Sequence, residues 1–349
     1  MKKNYILILI ILLFGISTEA QTTTDVVTGL GNPGGLVLNG NDLYIASYYG
    51  NKILKIDITA STPTATDVVT GLNGPVGLAL NGNDLYIAEW SGNKISKIDI
   101  TATTPTATDV VTGLKNPNGL ALNGNDLYIA EYTARLISKI DITATTPTVT
   151  SVYGVDYPTA LIFNGNDLYI AQDLSRKISK IDIAATTLIR TDVVMRLNRP
   201  FGLVLNGNDL YVSEFEGNKI SKIDITATTP IATDVVTGLY SPYGLALNGN
   251  DLYISDRFDD KILKFNLSTL AINHLNTNSP FRLYPNPSNE FLQVSGLTAK
   301  EDYKIINLPG AEVKKGTISN KEKIDIRNLK NGLYFLKFNN GNTFKFIKK

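Results

Sequence analysis

Cysteine is absent from the 349 residues, and histidine and tryptophan each occur once, as His274 and Trp90. Without cysteine there is no disulfide framework, thiolate zinc site, iron–sulfur cluster or thiol nucleophile. A single histidine excludes chemistry that needs two imidazoles. An excess of one charge is missing as well. Thirty-three basic residues stand against 32 acidic ones, a net +1, which argues against a nucleic-acid binder of the bulk-electrostatic kind. After the first twenty residues no stretch is long and apolar enough to span a bilayer, so no transmembrane helix is expected in the mature chain. The full sequence is 43% hydrophobic, enough for one or two ordinary cores.

The N-terminus reads as an address. Lys2 and Lys3 precede an apolar run from Tyr5 to Ile16, which ends in Ser17, Thr18, Glu19 and Ala20. A basic start, a short apolar centre and a small residue at the cut make a secretory signal peptide. Cleavage is expected between Ala20 and Gln21. The run falls short of the ~20 residues that cross a bilayer.

Beyond it one unit recurs six times. Asn-Gly-Asn-Asp-Leu-Tyr begins at Asn39, Asn81, Asn123, Asn164, Asn206 and Asn248, in steps of 42, 42, 41, 42 and 42 residues. A fixed period of this size decides the fold before any local signal does. In the second copy Gly77 to Leu80 is an apolar run, and Asn81-Gly82 suits a type I′ hairpin. Asp84 to Ala88, Lys94 to Ile100 and Thr108 to Thr112 follow as strands rich in Val, Ile, Tyr and Thr. Four short strands in about 42 residues are the content of one propeller blade. The fold class is therefore all-β: a six-bladed β-propeller over residues 21–275, then a small C-terminal β-sandwich. Asp25 to Thr28 is expected to supply the outer strand of the last blade, with 271–275 as its competitor.

In the second copy, Gly71-Leu72, Pro75-Val76-Gly77-Leu78-Ala79-Leu80, Leu85-Tyr86-Ile87-Ala88-Glu89 and Gly92-Asn93-Lys94-Ile95 resemble the NHL-type propeller repeat. The resemblance implies the fold and no particular task, since function resides in sites rather than folds.

Residues 276–280 read as a linker. Residues 281–349 carry 13 basic and 6 acidic residues, net +7, whereas 21–280 carry 18 and 25, net −7. That reversal marks a domain boundary. Tyr284-Pro285-Asn286-Pro287 at the start, with Gly332 and Tyr334 in an alternating strand near the end, is similar to the type A sorting domain of the type IX secretion system of Bacteroidetes. The resemblance implies a partner, the outer-membrane translocon, engaged through 281–349. It also implies export through the periplasm to the cell surface or the medium.

Candidate ligand contacts come from the places where the copies differ. One is the residue after each repeat proline, including Asn118, Phe201 and Tyr243. The other is the loop between second and third strands, with Tyr49, Trp90, Tyr132, Phe215, Arg257 and Phe258. These share a face opposite the Asn-Gly hairpins, so an aromatic binding surface with an acidic rim is expected there. Glu89, Glu131, Glu214 and Asp256 have two open readings: oxygen ligands for a divalent cation at the channel mouth, or caps on backbone N–H groups. No catalytic residue is assigned and no other cofactor is expected. His274 is read as a strand or linker residue. The motifs of gluconolactonase-like propellers cannot be placed, the histidines of streptogramin lyase-like and amidating lyase propellers are lacking, and no Gly-x-Ser-x-Gly elbow occurs. The expectation is a non-catalytic propeller that binds a glycan, peptide or protein. The alternative is a metal-assisted hydrolase or lyase of the gluconolactonase-like type.

Overall fold

The computed structural model describes residues 23–269, 282–297, 299–307, 311–338 and 343–349. They form two compact units divided between Phe265 and Asn266. The signal peptide, His274 and the competing segment 271–275 lie outside the described residues.

The first unit is six sheets of four antiparallel strands. In the second sheet, Pro75–Asn81 is innermost, followed outward by Asp84–Glu89, Lys94–Asp99 and Thr108–Thr112. Second strands are buried on both faces, in the pattern of Asp84–Glu89, because each sheet is sandwiched between its neighbours. Tyr86, Ala88 and Ile95 of one blade pack on Leu120, Leu127 and Ile129 of the next. No lone blade could cover these faces, so the repeats stabilise one another.

The ring closes through the N-terminus. Thr24–Thr28 pairs antiparallel with Lys261–Asn266, with Thr24 opposite Lys264 and Thr28 opposite Lys261. It is the outer strand of the sixth blade, as the sequence led us to expect. Leu36, Leu43 and Ile45 of the first blade share a core with Ala246, Tyr253 and Ile262 of the sixth, with Val26 and Val27 packed against it.

Glycine follows the variable residue because inner strands converge on the axis. A Cβ on Gly77 would stand 1.8 Å from the Asn118 carbonyl oxygen, and one on Gly244 2.3 Å from that of Gly34. The repeated hairpin differs from the expected type. Asn81 pairs with Asp84, so the two loop residues are Gly82 and Asn83 rather than Asn81 and Gly82. Only Gly82 has positive φ, at 58°, which is the pattern of a II′ turn with glycine first.

The second unit is a small sandwich. A three-stranded sheet orders Arg282–Tyr284, Phe291–Ser295 and Lys323–Asp325. A four-stranded sheet orders Glu312–Ile318, Glu301–Asn307, Gly332–Phe338 and Thr343–Lys348. Leu292, Val294 and Ile324 of the first sheet share a core with Ile305, Leu336 and Phe346 of the second. The two ends of the motif are joined here. Asn286 donates through Nδ2 to the Lys345 carbonyl at 2.9 Å and accepts from the Ile347 N–H at 3.0 Å. Tyr334 stacks on Phe346 at 5.6 Å and donates to the Lys330 carbonyl. No helix among the described residues is long and apolar enough to cross a membrane.

Candidate functional site

The backbone prepares the site at the residue before each repeat proline. Asn32, Gly74, Asn116, Tyr157, Arg199 and Ser241 all have positive φ, between 47° and 65°. Only one is glycine, and the left-handed region is uncommon for residues as bulky as Tyr or Arg. Strain of this kind persists where the surroundings hold it in place, and it concentrates at ligand sites. Here the turn delivers the chain onto the innermost strand. The residue after the proline is thus the second residue of that strand and not a loop residue, as in Pro75–Asn81.

All nine sequence-derived ligand candidates line one cavity of about 380 Å³: Tyr49, Trp90, Asn118, Tyr132, Phe201, Phe215, Tyr243, Arg257 and Phe258. Asn32, Tyr48, Val76 and Arg199 complete it, so five of the six blades contribute. The rings interlock in pairs. Trp90 meets Tyr132 at 5.1 Å, Phe201 meets Tyr243 at 4.8 Å, and Phe215 meets Phe258 at 5.6 Å. Depth varies widely. Tyr49 is 73% exposed and Phe258 51%, whereas Tyr243 is 5% exposed. Tyr243 belongs to the framework, since its hydroxyl donates to Asn118 Oδ1 across the ring at 2.8 Å. Burial pushes its phenol up, and the Arg257 charge offsets part of that.

The expected acidic rim is not found; no Asp or Glu lines the cavity, and two arginines do. Arg199 is held by Asp173, a fully buried carboxylate, through Nε to Oδ1 at 2.6 Å and Nη2 to Oδ2 at 2.8 Å. Glu216 binds a third nitrogen at 3.1 Å. Tyr132 donates to the same Asp173 at 2.7 Å. Burial first, then this carboxylate, pushes the Tyr132 phenol up, and Asp173 likewise raises the Arg199 guanidinium. Arg257 sits differently: Nε donates to Asn32 Oδ1 at 2.5 Å and the guanidinium lies over Tyr48 and Tyr243. Sequence reasoning missed Asn32 and Arg199. Their signal was a large or polar side chain immediately before the repeat proline.

The acidic set takes the capping role. Glu89, Glu131, Glu214 and Asp256 are each at most 5% exposed and do not line the cavity. Each accepts the backbone N–H of a residue sixteen positions earlier. Asn73 meets Glu89 at 2.7 Å, Lys115 meets Glu131 at 2.9 Å, Asn198 meets Glu214 at 2.7 Å, and Tyr240 meets Asp256 at 2.7 Å. Ser96 and Ser221 donate to Glu89 and Glu214. Because strand-end side chains here turn into their own blade, the carboxylates stay apart. Among the described residues no three acidic or histidine side chains form a group that would hold a metal ion.

Asp256 carries a testable consequence. Burial pushes its carboxyl up to about 6 from an ordinary 3.8, with the Tyr240 N–H opposing. Between these values the folded chain binds the proton more tightly than the unfolded chain, so this group's contribution to stability falls as pH rises. Thermal melts should therefore show Asp256→Asn gaining on the parent from pH 5 to pH 7.5. An identical difference in Tm at both pH values would contradict the raised carboxyl.

Residues 282–349 match the secretion system C-terminal sorting domain. No curated protein matches the chain in sequence. Among solved structures, virginiamycin B lyase from Staphylococcus aureus is similar at 16% identity and TM-score 0.53, covering 70% of this chain and 98% of that one. A putative gluconolactonase is similar at 11% identity and TM-score 0.59, covering 70% and 91%. A chain of a nidogen/laminin complex is similar at 18% identity and TM-score 0.54, covering 62% and 84%. At these identities the likeness is one of fold. The chain thus folds as a six-bladed β-propeller followed by a domain, residues 282–349, that matches the sorting domains of type IX secretion, which direct it to the cell surface or the extracellular space.

Proposed function

We propose that the propeller is a non-catalytic binding module that takes a glycan, peptide or protein ligand in its aromatic cavity. In this reading residues 1–20 carry the chain into the periplasm, Ala20–Gln21 is cut, and the sorting domain completes export. One observation carries the proposal. Side chains that differ from copy to copy converge on a single cavity, while the hairpins on the opposite face repeat without change. Scaffold positions are bound by packing and turn geometry; the cavity positions have been free to diverge. Cavities of roughly 300–1,000 Å³ with aromatic walls and few polar groups are the usual form of a ligand site.

The test is a glycan and protein array probed with the purified chain, followed by affinity measurements on the best ligand. Trp90→Ala should weaken binding about tenfold, the ~1.4 kcal/mol expected of a central aromatic contact. Asp84→Asn, in the hairpin-side pair with Lys97, should leave affinity within twofold. Circular dichroism should be unchanged for both. If Asp84→Asn abolishes binding and Trp90→Ala does not, the ligand sits on the other face.

A further inference from the structure

The polar groups of the cavity are unequally satisfied. Arg199 has its charge matched by Asp173 and Glu216. Arg257 has a neutral partner, Asn32, and two aromatic rings beneath its guanidinium, and it forms no ion pair among the described residues. Asn118 is 2% exposed, and its Oδ1 accepts from Tyr243. Its Nδ2 has no hydrogen-bond partner. Buried donors in folded chains are nearly always satisfied, so an unmatched one beside a cavity points to an acceptor from outside the chain. Asn118 lines both the cavity and the narrower channel below it.

One unmatched cation and one unmatched neutral donor describe a particular guest. A monoanion matches the charge, and two oxygens in a plane match the guanidinium fork. A phosphate dianion would leave charge unneutralised. The walls select the body that carries the carboxylate. Tyr48, Trp90, Phe215 and Phe258 offer flat apolar surfaces, on which the C–H face of a pyranose ring stacks. About 380 Å³ admits one or two such rings. An extended peptide added as a strand needs a free sheet edge. The free edges of the innermost strands face a channel of about 90 Å³, too narrow for one.

We infer that the cavity takes an acidic sugar, a uronate residue of a polysaccharide, with its carboxylate on Arg257 and the Asn118 amide and its ring on the aromatic walls. This rests on the cavity being the binding site.

Calorimetric titration of the full chain with a galacturonate trisaccharide, a glucuronate-containing trisaccharide and the methyl ester of each tests it. At least one acid should bind, and esterification should weaken it tenfold or more. Arg257→Gln should cost the acid at least tenfold and the ester less than twofold, whereas Trp90→Ala should weaken both. Added salt should weaken the acid alone. The acid–ester comparison needs no variant, so it holds even where Arg257→Gln does not fold. Equal affinity for acid and ester, or an acid unaffected by Arg257→Gln, overturns the carboxylate contact. If Trp90→Ala still weakens binding in that case, the cavity reading survives. Failure of every acidic sugar to bind overturns the inference outright, and the array result then judges the cavity separately.

Discussion

A chain ending at residue 280 is expected to remain in the periplasm as a folded propeller and to be missing from the surface and medium fractions. The physical argument has two parts. The propeller has its own cores, such as the one joining its first and sixth blades, and the sorting domain has a core shared by its two sheets. The sorting domain, for its part, has its last strand fastened to the Tyr284–Pro287 segment through Asn286 and to the adjoining Ser288, which pairs with Lys348. Removing it therefore takes away the export signal without opening the ring. Immunoblots of periplasmic and external fractions, with a melting curve for the retained protein, provide the check. Truncated protein outside the cell at normal levels would mean that export does not depend on residues 281–349.

Removing residues 21–29 should lower the melting temperature of the propeller by on the order of 10 °C. The deletion strips the antiparallel partner from Lys261–Asn266 and uncovers the core on which Val26 and Val27 pack. It also removes the Asp25–Lys261 ion pair and the bond from the Gly29 N–H to the Asp260 carbonyl. Two half-buried valines and a few ladder hydrogen bonds amount to about 3–5 kcal/mol. For a domain of this size ~1 kcal/mol moves Tm by roughly 2–4 °C. The surface ion pair adds little to that sum. The larger consequence is topological, because among the described residues the outer strand of the last blade is where strand pairing joins the two ends of the ring. An unchanged Tm would show that another segment closes the sixth blade.

How far the sequence alone leads depends on how local each determinant is. The blade is legible because its causes lie within 42 residues. The Asp-Leu-Tyr-Ile strand, the glycine turn before it and the Asp-Val-Val outer strand each follow from neighbours in the chain. The closing strand is legible for a related reason: Thr24 to Thr28 spells the outer strand of a blade that has no inner strands before it. Even the grouping of aromatics was accessible, since positions that vary against an invariant background must share the end of the strand opposite the hairpins.

Tertiary structure decided what each of those side chains experiences. Tyr243 and Asn118 are 125 positions apart and meet only because the ring brings the innermost strands to one axis. Nothing near either residue marks Tyr243 as framework while Phe258 stands half exposed. The same holds for charge. Glu89 and Asp256 looked like a rim, but the end of each second strand turns inward, and each carboxylate accepts a backbone N–H of the preceding loop. Arg199 and Arg257 look alike as letters. One is matched by a buried aspartate from the neighbouring blade and the other is not, and that difference sets the charge of the cavity. Periodicity along the chain determines which strands form and how many blades there are. Contacts between blades, which the period cannot encode because it is the same in every copy, determine which groups are left to meet a ligand.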